Sequence, residues 1–168
     1  DFAGPDDLDP LMQRGNATDP KSWFKEDALP DLFRRVRVGY ERVIHLRDTF
    51  CPDVTILTHS YDYAHASGKG FLFLSPWIKP SFDKFGVPDK LRPKVINLII
   101  DGLANVQKTL SRKTRKYKFV ETRGTLTPEE WSNEIHPTSD GFCKIAGKFF
   151  PEFKRGIPDW VIEPKWLK

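Results

Sequence analysis

A single histidine stands in a sequence setting suited to proton transfer. His136 lies in the stretch NEIHPT, residues 133–138, which follows a predicted strand and loop and precedes a predicted helix. In an open parallel sheet, such positions lie at the carboxyl edge, where ligands bind. Histidine side chains act as general bases there because their unperturbed pKa, about 6.5, lies near neutral pH. A histidine before a helix can also be a surface or capping residue, so its position alone leaves both interpretations open.

The residues around this histidine form a more specific pattern. The run NEIHPTSDGF, residues 133–142, resembles the last sequence block of SGNH (GDSL-like) hydrolases, in which His-Pro and then a Gly-aromatic pair open the C-terminal helix. The first residues, DFAG at 1–4, resemble those that follow the asparagine of the family's third block. The two matches stand in the family's order and span nearly the whole chain.

This resemblance implies both a fold and an activity. The fold would be α/β, with three α/β/α layers and a parallel, flavodoxin-like sheet, and residues 1–168 would supply roughly the C-terminal half of one domain. The activity would be that of a serine hydrolase acting on an ester, of the esterase, lipase or acyl-sugar deacylase type, with His136 as general base and no cofactor. A catalytically decayed binding module of the same fold is the alternative.

The serine and the oxyanion donors implied by the resemblance do not belong to this chain. In the family, the donors are the serine's own amide, a glycine of the second block and the third-block asparagine, which would immediately precede Asp1. We therefore expect the isolated chain to be inactive. We expect the N-terminal half of the domain, cleaved or separate, to be its partner, and a small ester or lipid to be the substrate.

The position of the triad acid departs from the family's pattern. The family commonly has Asp three residues before the histidine, where this chain has Asn133, an amide that cannot stabilise an imidazolium as a carboxylate does. Three alternatives remain: a Ser-His dyad oriented by Asn133 or a main-chain carbonyl, Glu134 acting as the acid, or a reduced activity. Both side chains could also serve only as hydrogen-bonding groups of a loop.

Other polar and aromatic residues are further candidates. Tyr61 and Tyr63 follow the first predicted strand and could line a substrate pocket, as could Trp131 beside the histidine block. The triplet His59, Asp62 and His65 has a spacing that could bind a metal, but it crosses a strand end and a loop, where that spacing does not force convergence. We expect no metal site. An apolar cluster in the same loop, including Phe71, Phe73 and Trp77, could cover a site or form local core.

The elements that must position these residues alternate along the chain. Apolar periodicity predicts an amphipathic helix over 29–50, a second from about 93 to 110 and a third from about 139 to 150. Between them, 54–60 and 117–122 read as strands, and 61–88 as a long irregular loop. Alternating strands and helices predict a parallel sheet. Two strands are too few for such a sheet, so the chain resembles half of a fold.

Composition narrows the class of protein. With 39% hydrophobic and 30% charged residues, the 168-residue chain is typical of a globular domain. The 27 basic and 23 acidic residues nearly balance, which gives no indication of nucleic-acid binding, and no apolar run is long enough for a membrane span. Cys51 and Cys143 are predicted to be buried thiols rather than a disulfide. The compartment stays open, since any signal peptide would lie upstream of Asp1.

Overall fold

The computed structural model describes residues 5–70 and 76–154, with the side chains of 153 and 154 left out. Five α-helices and two strands follow one another in these ranges. In chain order they are α1 (Pro5–Leu8), α2 (Ala28–Phe50), β1 (Ile56–His59), α3 (Lys79–Phe85), α4 (Arg92–Lys113), β2 (Tyr117–Val120) and α5 (Ser139–Lys154). Single 3-10 turns lie at Asp9–Leu11, Pro20–Trp23, Asp89–Leu91 and Pro128–Glu130. The predicted α/β class is confirmed.

The two long helices pack directly on each other. Pro30 and Pro93 stand in the first turns of α2 and α4, where the missing proline N–H costs no helical hydrogen bond. The Phe33 ring of α2 lies so close to Gly102 of α4 that a Cβ there would meet it at 1.9 Å. Glycine at this point therefore allows close approach of the two helices.

The two strands form a parallel pair. Ile56 lies opposite Tyr117, and His59 lies opposite Val120. Tyr117 packs in a cluster with Ile44 of α2 and Leu110 of α4. On the opposite face, Lys118 forms an ion pair with Glu152 of α5, at 2.6 Å between Nζ and Oε2. Because side chains alternate along a strand, helices contact both faces of the pair.

The larger core lies beside the sheet, under the irregular segments. The N-terminal segment contributes Leu8, Met12 and Trp23, which are buried against Val95 and Ile99 of α4. The segment between β1 and α4 contributes Ile78 and Phe82 to the same cluster. This packing holds the segment that follows β1 in place, and Trp77 of that segment lies next to His136.

Several predictions needed correction. Cys51 and Cys143 are free, as predicted, but both are exposed rather than buried, because neither lies on the apolar face of its segment. The loop predicted over 61–88 contains helix α3, which ends at Gly86 with a left-handed φ of 80°. The last helix passes through Pro151 and continues to Lys154. Phe71 and Phe73 lie outside the described residues, whereas Trp77 packs against the core.

Candidate functional site

Two loops leave the carboxyl ends of the strands and are joined by a buried aspartate. The Asp62 carboxylate accepts hydrogen bonds from the main-chain N–H groups of Gly124 (2.5 Å), Thr125 (2.9 Å) and Leu126 (2.7 Å). These three hydrogen bonds tie the segment after β1 to the segment after β2. The loop that carries the histidine is thereby held at the carboxyl edge of the pair.

The histidine loop closes on itself before α5 begins. A bridge joins Trp131 to Pro137, and the Ser132 N–H donates to the carbonyl of His136 at 2.9 Å. Helix α5 starts immediately afterwards, and its Gly141 lies so close to this loop that a Cβ would be 2.7 Å from the Glu130 carbonyl. The glycine of the motif therefore has a local physical reason, which is close approach of helix and loop.

Asn133 orients the imidazole ring. Its Oδ1 accepts from the main-chain N–H groups of Ile135 (3.1 Å) and His136 (2.9 Å), which identifies that atom as the oxygen. The same Oδ1 lies 3.1 Å from Nδ1 of His136. An oxygen that already accepts from two N–H groups can only accept again, so Nδ1 carries the proton and donates it. The lone pair is then on Nε2, the nitrogen that a general base needs.

The Trp77 ring packs against the imidazole ring of His136. The rings of Trp77 and His136 lie edge to face, with centroids 5.5 Å apart and planes at 78°. Residue His136 itself is exposed, whereas Asn133 beneath it is only 1% exposed. The imidazole is therefore fixed on two sides and reachable from outside.

Glu134 is occupied by main-chain donors. Its side chain is fully buried, and Oε2 accepts from the N–H groups of Trp77 (2.7 Å) and Ile78 (2.6 Å). Oε1 accepts from Gly68 (2.9 Å) and Lys79 (3.2 Å). The carboxylate thus satisfies amides at the start of α3, and it holds the Trp77 segment against the histidine loop. These bonds give Glu134 a positioning role and leave the orientation of His136 to Asn133.

The three aromatic residues proposed as pocket residues, Tyr61, Tyr63 and Trp131, lie in different parts of the structure. Tyr61 is half exposed and lies beside His59, with ring centroids 6.5 Å apart. The Tyr63 hydroxyl donates to Asp101 of α4 at 3.0 Å. Trp131 is buried in the larger core, and its ring packs edge to face on His65 at 5.9 Å. Of the three, Tyr61 lines the cavity described below.

The possible metal ligands have separate partners. His59 packs on Phe149 of α5, with ring centroids 5.2 Å apart, whereas Asp62 is engaged by main-chain amides. His65 faces Trp131. Within residues 5–70 and 76–154, no three His, Cys, Asp or Glu side chains come together as metal ligands would.

A serine near the strand ends is also fully engaged. Ser60 is completely buried, its hydroxyl donates to Glu121 Oε1 at 2.8 Å, and it accepts from the Thr122 N–H at 2.8 Å. The adjoining Arg123 guanidinium lowers the pKa of Glu121 to about 2 through their hydrogen bonds. Ser60 therefore ties β1 to the segment after β2 and is not exposed for attack on a substrate.

The sequence did not predict the cavity beneath the histidine loop. It has a volume of about 400 Å³ and lies between α2, α4 and β1. Ile135 and Ile78, the chain neighbours of His136 and Trp77, both line it. No local pattern could have indicated this cavity, because its walls come from segments far apart in the sequence.

Comparisons with known proteins add no relative. Neither models of protein families, nor curated proteins, nor solved structures match this chain. Within the described residues, no helix combines the length and apolar character needed to cross a membrane. Residues 1–4, the first part of the SGNH resemblance, lie outside the described residues. The resemblance thus depends on the motifs alone, and the geometry around His136 is the structural observation that bears on function.

Proposed function

We propose that this chain carries the general base of a serine hydrolase that cleaves esters. The observation that supports this function most directly is the hydrogen bond between Nδ1 of His136 and Oδ1 of Asn133, at 3.1 Å. It directs the lone pair of the imidazole away from the loop, on an exposed residue, where a serine hydroxyl can meet it. The serine comes from polypeptide outside residues 1–168.

The reaction proceeds by acyl transfer. Nε2 of His136 removes the serine proton as the serine oxygen attacks the ester carbonyl, and the imidazolium then protonates the leaving alcohol. A water molecule attacks the acyl-serine in the second half-reaction, while Nε2 accepts its proton and returns a proton to the serine. The products are a carboxylic acid and an alcohol, with the enzyme regenerated.

The base works as part of a dyad in this proposal. Asn133 keeps the ring in the required tautomer by accepting the Nδ1 proton, but its neutral oxygen stabilises the imidazolium less than a carboxylate does. Trp77 supplies a second constraint on the ring, through its edge-to-face contact. We therefore propose a slower enzyme than a complete triad would give.

The fold proposal follows from the same resemblance. Helices on both faces of the β1–β2 pair support a three-layer α/β/α arrangement with a flavodoxin-like sheet, of which this chain supplies the C-terminal half. The N-terminal half would be the partner and would hold the serine and the oxyanion donors. Such donors contribute roughly 3 to 4 kcal/mol each to stabilisation of the transition state.

A second candidate is a binding module without activity. Asn133 in place of the usual acid favours it, since a neutral amide stabilises the imidazolium less than a carboxylate does. Binding would then use the same carboxyl edge without acyl transfer.

The test is to change His136 to Ala in the full-length protein and to measure hydrolysis of p-nitrophenyl esters of two to sixteen carbons. We expect His136→Ala to lower kcat/KM by at least about 100-fold, as removal of a general base does. The matched control is His45→Ala, which removes an exposed histidine of α2 and should leave kcat/KM unchanged. Activity of His136→Ala above a tenth of wild type would refute its role as base. No hydrolysis and no fluorophosphonate labelling of any serine in the wild type would favour the binding module.

A further inference from the structure

The ring of Trp77 lies beside the imidazole whose free nitrogen faces outward. Its centroid is 5.5 Å from that of the His136 ring, and the two ring planes meet at 78°. Trp77 packs against the larger core but is only half-buried. His136 is exposed, and Asn133 lies buried beneath it. The indole is therefore an apolar surface that a molecule bound next to the proposed base can reach.

Main-chain hydrogen bonds fix the position of this ring. The N–H groups of Trp77 and Ile78 donate to Oε2 of Glu134 at 2.7 and 2.6 Å. Glu134 belongs to the same short loop as His136, and its own N–H donates to the Lys69 carbonyl at 3.3 Å. Ile78 is buried in the larger core. A ring held in this way loses little conformational freedom when a ligand contacts it, so the contact contributes to binding almost in full.

The direction of proton transfer decides which part of an ester lies near this ring. In acyl transfer, the base that takes the serine proton gives a proton to the leaving alcohol. The leaving oxygen must therefore come within about 2.6 to 3.2 Å of Nε2 of His136. The carbonyl oxygen is directed instead to the oxyanion donors, which the proposed function assigns to polypeptide outside residues 1–168. The alcohol part of the ester thus lies closer to Trp77 than the acyl part does.

The chemistry of an indole ring indicates which alcohols it favours. The ring offers a large apolar area and an electron-rich face, and a second aromatic ring packs on it with centroids about 4.5 to 7 Å apart. A phenyl group one carbon away from the leaving oxygen can reach this range, because the Trp77 and His136 rings are themselves only 5.5 Å apart. A methyl group on the same oxygen is too small to cover the indole.

We propose that Trp77 forms the wall of the leaving-alcohol site and gives the enzyme a preference for esters whose alcohol carries an aromatic ring. This inference rests on the proposed function, and it names the substrate class of that same site. Trp77 is a specificity-determining residue in this role, since it contacts the alcohol and takes no part in proton transfer. The acyl group is selected by other parts of the enzyme.

The test compares two isomeric esters with the full-length protein. Benzyl acetate and methyl phenylacetate carry the same phenyl group on opposite sides of the ester bond, and the acid released is titrated to obtain kcat/KM for each. We expect wild type to prefer benzyl acetate. Trp77→Met removes the ring but keeps a flexible apolar side chain, and it should lower kcat/KM for benzyl acetate about three- to tenfold more than for methyl phenylacetate. Trp77→Phe keeps a flat ring and should hold the ratio of the two within about twofold of wild type.

The ratio separates selectivity from damage to the fold. A looser His136 ring or partial unfolding lowers both rates alike and leaves their ratio unchanged. Phe85→Leu removes another half-buried ring of the same core and is the matched control, for which we expect the wild-type ratio. An unchanged ratio in Trp77→Met, or a larger loss for methyl phenylacetate, would overturn the proposal. If neither Trp77 variant folds, a wild-type preference for methyl phenylacetate would overturn it.

The same measurements distinguish this inference from the proposed function. Ester hydrolysis that His136→Ala abolishes, but that shows no dependence of the ratio on Trp77, refutes the alcohol site alone. Absence of any ester hydrolysis in wild type refutes the proposed function, and the alcohol site with it.

Discussion

The buried carboxylate of Glu134 provides the sharpest test of how the site is held together. Changing Glu134 to Gln keeps the shape of the side chain but replaces one of two acceptor oxygens by a donor group. The most favourable orientation of the new amide keeps its oxygen where Oε2 now accepts hydrogen bonds from the N–H groups of Trp77 (2.7 Å) and Ile78 (2.6 Å). The Gly68 N–H, now 2.9 Å from Oε1, would then face an NH₂ group and lose its acceptor.

The expected loss of stability follows from these bonds. One buried N–H without a partner costs about 1 to 3 kcal/mol, and each remaining bond loses roughly 1 kcal/mol when its acceptor becomes neutral. The lower cost of burying an amide instead of a carboxylate offsets part of this sum. We expect Glu134→Gln to lower the free energy of unfolding by about 2 to 4 kcal/mol, a large share of the roughly 5 to 15 kcal/mol that domains have.

The assay is urea unfolding of the full-length protein, followed by tryptophan fluorescence and interpreted with a common m-value. Glu26→Gln, at an exposed position, is the matched control and should stay within about 0.5 kcal/mol of wild type. Faster amide exchange at Gly68 in the Glu134 variant should accompany the loss. If the free energy of unfolding fell by less than about 1 kcal/mol and the Gly68 amide stayed protected, Glu134 would not be holding the Trp77 segment through these hydrogen bonds.

The remaining predictions concern the dyad, the helix start and acid stability. Asn133→Asp should raise kcat/KM for ester hydrolysis about tenfold, because a bond to a carboxylate is stronger by about 1 to 1.5 kcal/mol; an unchanged rate in a stable variant would contradict the orienting role of Asn133. Gly141→Ala should destabilise the protein by about 1 to 3 kcal/mol, because the new Cβ would lie 2.7 Å from the Glu130 carbonyl. Gly147→Ala is the matched control in the same helix. Its Cβ meets nothing within 4 Å, so this change should stabilise the protein by about 0.5 to 1 kcal/mol. Equal melting temperatures for the two alanine variants would refute the close approach. The Arg123 guanidinium holds the pKa of Glu121 at about 2, below its ordinary value of 4.5, so the stability that Glu121 contributes is present above pH 4.5 and lost as the pH falls toward 2. Urea unfolding between pH 5 and pH 2 should accordingly show a shallower decline in Glu121→Gln than in wild type; parallel declines would argue against this ion pair.

Local patterns were sufficient to predict the main elements. The apolar periodicity of α2 and α4 and the β-branched run before His59 depend only on neighbouring residues, and the structure has helices and strands at those places. The ends were less accurate, because the strand over 54–60 shortens to Ile56–His59 where pairing with β2 stops. The short helix α3 was missed, since its seven residues lie in a stretch rich in proline, glycine and aromatic residues.

The functional interpretation of the motif also came from the sequence, but the roles of its residues did not. Asn133 and Glu134 are adjacent polar residues, and the chain alone left both as possible orienters of His136. Only the folded loop shows that Asn133 reaches Nδ1 while Glu134 reaches the amides at the start of α3. The difference arises because neighbouring side chains point in different directions once the loop closes.

What the sequence decided about this protein is the order and type of its three long helices and two strands and the presence of the motif around His136, because both depend on residues close together along the chain. What the tertiary structure decided is the tautomer of His136, the burial of Glu134, and the cavity between α2, α4 and β1. The burial of Glu134 and the cavity depend on groups brought together from distant segments, whereas the tautomer depends on how the short loop from Asn133 to His136 closes.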